Sequence, residues 1–154
     1  MKKLFLILVA CAATTAYAQK QKMSYKVGIV TSLPANVTST TVNTGSTLLE
    51  ASKKISKKLS ATANTGYVRI TADEATLSQI PVLAGLKYSV TEQWYFGSGF
   101  GITIPTKKAY GKAEFGYSPY IGYQNKHISV DARYYLSGLQ APLSTVALVF
   151  SYSL

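Results

Sequence analysis

Few residues in this chain have types and spacing that could do chemistry. There is one histidine, His127, and one cysteine, Cys11. Nucleophilic catalysis pairs a histidine with a hydroxyl or thiol and an orienting acid, and His127 directly follows the polar step Asn125-Lys126, a turn-flanking position with no such pair beside it. A structural metal needs several His, Cys or carboxylate ligands at short spacing, and the sequence holds no such set. Gly97-Ser98-Gly99-Phe100-Gly101 has the glycine density of a phosphate loop. A phosphate loop opens a helix, whereas Ile102-Thr103-Ile104 continues as a strand. No cofactor is therefore expected.

What remains is a set of charges embedded in apolar surroundings: Lys87, Glu114, Asp131 and Arg133. Each falls on the small, polar side of an alternating segment. If that side is enclosed, the four are desolvated and must pair. Lys26 or Arg69 can join them. The chemistry open to such a network is an ion or proton path, or a packed polar plug. The plug is the reading taken here, with Tyr95, Tyr120 and Tyr135 filling space and Gly85, Gly97, Gly99, Gly101, Gly116 and Gly122 making room.

The elements that must position these charges are strands. Successive strand side chains point to opposite faces. Residues 127–137 put Ile128, Val130, Ala132, Tyr134 and Leu136 on one face and Ser129, Asp131, Arg133, Tyr135 and Ser137 on the other. Residues 144–154 put Val146, Leu148, Phe150, Tyr152 and Leu154 together, opposite small residues. Trp94, Phe96, Phe100, Ile102 and Ile104 share a face across 93–104. Strands are expected over 23–33, 46–55, 59–71, 79–90, 93–104, 113–124, 127–137 and 144–154. Their connectors alternate long and short, which is the pattern of an up-and-down barrel with tight turns on one side. Two segments resist. Residues 48–59 also read as an amphipathic helix with Thr47 and Glu50 at capping-box spacing; a strand there completes the even count. Pro119 has no N–H, so it implies a bulge or a missing ladder bond.

The N-terminus reads as a secretory signal over residues 1–18. Lys2 and Lys3 form the basic region, Leu4–Ala13 the apolar region, and Ala16-Tyr17-Ala18 the small-x-small cleavage site. Leu8-Val9-Ala10-Cys11 also fits a lipoprotein box, with Cys11 as the lipidated residue. The domain is then 19–154, and the formal charge of +10 on the full chain falls by the two signal lysines. The apolar run is too short for a transmembrane helix, which needs about 20 residues. A membrane form must be a closed barrel, because lipid tolerates no unpaired strand edge. Twelve Tyr and eleven Gly suit an aromatic girdle around a small-residue interior. The fold class expected is all-β, an eight-stranded antiparallel up-and-down transmembrane β-barrel.

Several stretches carry a resemblance. Ile80-Pro81-Val82-Leu83-Ala84-Gly85-Leu86-Lys87-Tyr88, followed by Trp94-Tyr95-Phe96, resembles the central hairpin of the small outer-membrane β-barrel domain family. Phe115-Gly116-Tyr117-Ser118-Pro119-Tyr120-Ile121-Gly122-Tyr123 resembles its next strand, and Asp131-Ala132-Arg133-Tyr134-Tyr135 the one after. The similarity is strongest over 79–154 and weakens over 34–58. It implies an eight-stranded porin-like barrel in the cell outer membrane and no one shared activity. Phe150, Tyr152 and Leu154 would form the C-terminal insertion signal read by the outer-membrane assembly machinery, although members usually end in Phe. Barrel enzymes acting on lipid A keep their histidine near the outer rim, and His127 belongs to the opposite, short-turn side.

Partners follow from charge and loops. Lys53, Lys54, Lys57 and Lys58, and Lys107, Lys108 and Lys112, cluster at connectors and would snorkel to anionic lipid. Nucleic acid is not expected, since binding needs aromatics interleaved on an exposed face. The threonine-rich stretch 34–45 could extend its flanking strands and take an extracellular partner by strand addition; Asn36-Val37-Thr38 also fits a glycosylation pattern. The expected protein is a monomer with a structural or surface-interaction role and no catalysis. The alternatives are a lateral opening near Pro119 for a small hydrophobic molecule, and a soluble carrier with Phe150, Tyr152, Tyr134 and Trp94 turned inward.

Overall fold

The computed structural model describes residues 23–34, 43–72, 75–106, 112–138 and 143–154. Eight strands follow one another: β1 (Ser24–Pro34), β2 (Asn43–Lys54), β3 (Leu59–Ala72), β4 (Ala75–Ser89), β5 (Trp94–Pro105), β6 (Glu114–Gln124), β7 (Ile128–Ser137) and β8 (Leu143–Ser153). Each pairs antiparallel with its sequence neighbours, and β1 closes on β8. Every expected strand is present, with ends within a few residues. The ambiguous stretch 48–59 is strand to Lys54, then a turn closed by Ile55 N–H and Ser56 N–H donating to the Leu59 carbonyl. Tertiary pairing on both sides, with β1 and β3, overrides the helical spacing. The expected signal peptide with Cys11, the Asn36-Val37-Thr38 pattern, and Lys107 with Lys108 lie outside the described residues.

The faces sort as the alternation requires, with the fatty side out. Ile29, Leu49, Phe96, Phe100, Ile121, Leu148 and Phe150 are all exposed on the outer wall. Ser46, Thr62, Gln79, Asp131, Arg133 and Thr145 are buried in the lumen. This is the reverse of a soluble carrier: Phe150, Tyr152, Tyr134 and Trp94 face outward. Near the short turns the outer wall carries aromatics in contact. Tyr88 packs on Phe96 and Trp94 on Tyr123, each pair with ring centroids 5.3 Å apart. The lumen is layered. An apolar cluster of Val30, Leu48, Leu83, Tyr135, Ala147 and Val149 fills its middle, and the charged residues lie nearer the short turns.

Departures from regular pairing have identifiable causes. Pro119 interrupts the β6–β7 ladder: Tyr117 pairs with Leu136 and Tyr120 with Arg133, the same register on both sides of a gap at Ser118 and Pro119. Of the two expected outcomes, the missing ladder bond is the one found. Pro81 does the same between β4 and β3, where pairing skips from Thr65–Val82 to Val68–Gln79. The β1–β2 register shifts between Val30–Ser46 and Ser32–Asn43, with the extra residue on β2, where Gly45 has a positive φ of 90°. The connector expected over 72–78 is instead mostly strand. β3 and β4 stay paired as far as Ala72–Ala75, making them the two longest strands, at 14 and 15 residues.

Glycine makes a tight lumen possible at two points. A Cβ on Gly122 would stand 2.5 Å from the Tyr95 ring and 2.6 Å from Asp131 Cβ. A Cβ on Gly97 would meet the Tyr120 ring at 2.5 Å. Overpacking of this kind typically costs 1–3 kcal/mol, so Gly122→Ala should destabilise the refolded barrel by about 2 kcal/mol in urea unfolding. Gly99→Ala, whose nearest contact is Leu83 Cβ at 3.3 Å, should cost clearly less.

Candidate functional site: a charged layer inside the barrel

Strand phase and register bring five charged side chains to one level of the lumen. β7 supplies Asp131 and Arg133, two residues apart and therefore on the same face. β4 supplies Lys87, β1 supplies Lys26, and β2 supplies Glu50, which pairs directly across from Lys26. All five are buried.

Arg133 is the centre. Its Nη2 donates to Glu50 Oε2 at 2.9 Å, and its Nε donates to Asp131 Oδ1 in a short contact. One planar guanidinium thus holds carboxylates from two strands, which its forked donors suit. Its Cζ also lies 4.4 Å from the Tyr120 ring centroid. Tyr95 O–H donates to Asp131 Oδ2 at 3.1 Å. Lys87 Nζ stands 3.9 Å from Glu50 Oε1, the long end of an ion pair. Lys26 Nζ donates to Ser129 Oγ at 3.0 Å, and both lysines lie over the Tyr95 ring at 5.3 and 5.2 Å. Tyr95 and Tyr120 meet edge to face.

Of the four charges singled out in the sequence, the structure brings Lys87, Asp131 and Arg133 together and leaves Glu114 out. Glu114 is exposed at the first position of β6, paired with Thr103 at the long-connector mouth. Its phase is inward, but its height along the barrel is wrong. Glu50 takes the place expected of it. Its signal lay in the alternation Ser46, Leu48, Glu50, Ser52, all buried, which the helical reading of 48–59 hid. Lys26 reaches the layer, whereas Arg69 is exposed far along β3. Phe150, Tyr152 and Leu154 point outward. His127 is exposed beside the short turn and stacks on Tyr152, centroids 5.9 Å apart at 18°. Among the described residues no group of three or more His, Cys, Asp or Glu could hold a metal ion.

Closed topology, outward aromatics and an ion-paired lumen now stand together, and solved structures share the closed fold. The fold is that of the eight-stranded outer-membrane barrels. The chain is similar to the Yersinia pestis outer-membrane protein Ail in a phospholipid nanodisc, at 14% identity over 86% of this chain and all of that one, with a TM-score of 0.62. It is similar to a de novo designed transmembrane β-barrel at 16% identity, covering 85% of this chain and 95% of the design, TM-score 0.58. It is also similar to Neisserial surface protein A at 11% identity, covering 86% and 94%, TM-score 0.55. No protein-family model and no curated protein matches the sequence.

Removing one partner of a buried ion pair leaves an uncompensated charge, at a cost of about 3–5 kcal/mol. Arg133→Met should therefore lower the urea midpoint of the refolded barrel strongly, because it strands Glu50 and Asp131 together. The double variant Glu50→Gln, Arg133→Met should lose less than the two single losses combined, since it removes a charge of each sign.

Proposed function

We propose that this chain is a small outer-membrane barrel with a packed interior, serving a structural or surface-interaction role without catalysis. The observation that carries the reading is the inversion of polarity: aromatics and aliphatics outside, an Arg133-centred ion network inside. Water would not tolerate so much contiguous apolar wall, whereas lipid requires it. The lumen supports a plug. Tyr95, Tyr120 and Arg133 cross it at the charged layer, and Val30, Leu48, Leu83 and Val149 fill it beyond. An eight-stranded barrel is just wide enough for its side chains. Outer-membrane lipid and the assembly machinery are the expected partners, with an extracellular partner at the long connectors and a monomeric protein. The paired β3–β4 hairpin, which extends to Ala72–Ala75, favours that end for contact. Ail, of similar fold, is the attachment invasion locus protein of Yersinia pestis, which supports the surface reading.

Extracted in mild detergent, the protein should migrate differently on a gel before and after boiling, with β-type circular dichroism in micelles. A soluble periplasmic protein with no mobility shift would overturn the membrane reading. In planar bilayers it should give no steady conductance; steady channels would overturn the plug.

A second reading rests on the ladder gap at Pro119. Beside it on the outer wall is a depression of about 460 Å³, lined by Phe96, Ile121, Tyr134 and Val146 with Gly97 and Arg133 at its base. It would hold a small hydrophobic molecule at a lateral opening. On this reading, Pro119→Val restores the missing N–H and should abolish binding of a fluorescent apolar probe while the heat-shift persists.

A further inference from the structure

The plug leaves an open cavity on one side of it. A vestibule of about 830 Å³ lies between the short turns and the charged layer. Its wall carries four lysines, Lys26, Lys54, Lys87 and Lys126, against one acidic side chain, Glu92, with His127 and Leu154 also in the lining. Serine hydroxyls from five strands stand between them: Ser24, Ser52, Ser60, Ser89 and Ser153.

The pairing below the vestibule explains why its floor stays positive. Arg133 engages both buried carboxylates, Glu50 and Asp131. Lys87 is left with a 3.9 Å contact to Glu50. Lys26 has a hydroxyl, Ser129, and an aromatic ring, Tyr95, and among the described residues no carboxylate within ion-pair distance. Two ammonium groups thus share one tyrosine ring at the bottom of a concave cavity. Low-dielectric walls around like charges focus the field and concentrate counter-ions. Lysine is a compact point charge with three rotatable donors, suited to phosphate without the bidentate geometry that arginine demands. The serines add neutral donors.

We propose that this vestibule is a binding site for a phosphate-bearing anion, with Lys26 and Lys87 as its floor and Lys54 and Lys126 as its rim. It is large enough for a diphosphate or a phosphorylated small molecule. The same chemistry would take the phosphate of an anionic lipid headgroup. The site stands on its own lining and does not rest on the structural or surface role proposed above.

The test is titration of the refolded full barrel, in a neutral detergent and at constant ionic strength, with sodium pyrophosphate, read by calorimetry and by backbone amide shifts. Saturable binding is expected, with shifts at Ser24, Ser129 and Ser153 and none at Gly45 near the opposite mouth. Lys26→Gln leaves the Arg133 ion pairs intact and should weaken binding by about tenfold or more. Lys87→Gln should do the same, with folding checked by the heat-shift because it also touches Glu50. Lys57→Gln removes an equal charge from the exposed turn outside the cavity and should leave affinity unchanged. Absence of saturable binding, or equal weakening by Lys57→Gln, would overturn the site in favour of diffuse surface charge. Repeating the titration in nanodiscs with and without phosphatidic acid separates the sources. Competition by the lipid assigns the site to a headgroup, and undiminished pyrophosphate binding assigns it to a free anion. Either outcome fits the site, and neither depends on whether the barrel conducts or adheres.

Discussion

Closure of β1 on β8 is the constraint on which the rest of the molecule depends. The ladder runs from Lys26–Ser153 to Pro34–Thr145 and removes the last two free strand edges. In lipid each unpaired backbone group costs several kcal/mol, so a sheet that spans a bilayer must close. Once closed, the sheet divides every strand into an inside and an outside, and alternation becomes compulsory. With eight strands the inside is just wide enough for side chains. Charges enclosed there gain by pairing, and Arg133 makes this possible for Glu50 and Asp131, because one guanidinium can serve two carboxylates at once.

The layering of the lumen follows from the same narrowness. Valine and leucine fill the middle, tyrosines cross beneath them, and ionic groups collect where the cavity begins to widen toward the short turns. The charged layer therefore lies between the filled segment and the open cavity. Tyr95 sits in that layer. Its ring faces two ammonium groups and its hydroxyl donates to Asp131, so one side chain joins the cationic and anionic halves of the layer.

How much of this was legible in the sequence depends on which coordinate is asked for. In or out was legible almost throughout, because period-two alternation encodes it residue by residue. Lys87, Asp131 and Arg133 were found that way. Height along the barrel was not legible, because it depends on register accumulated over eight pairings, and no single strand carries it. Glu114 shows the difference: its phase is inward, but it stands at the far mouth. Glu50 was missed for another reason. The run Leu48–Leu59 satisfies both helical and strand spacing, and only its pairing with β1 and β3 decides between them. The extension of β3 and β4 was hidden because Ala72–Ser78 holds no strong apolar alternation, while backbone pairing alone continues the hairpin. Pro119 was legible as a disturbance of the ladder, since it has no N–H, but whether as a bulge or a plain gap was decided only by the register.

The two prolines also divide the wall. Pro81 breaks the ladder on the β3 side of β4, and Pro119 breaks it on the β7 side of β6. Between those breaks, β4 to β5 and β5 to β6 are paired without interruption, from Gln79–Pro105 and from Trp94–Tyr123. The gaps leave β4, β5 and β6 as a run of three strands paired without interruption, beside five strands that carry Arg133, Asp131, Glu50 and Lys26. Lys87 and Tyr95 belong to the run of three. The buried ion pair Lys87–Glu50 and the hydrogen bond Tyr95–Asp131 therefore link this run of three strands to the other five. Each contact joins strands two apart, bridging over β3 and over β6 at a level where the backbone ladders are intact.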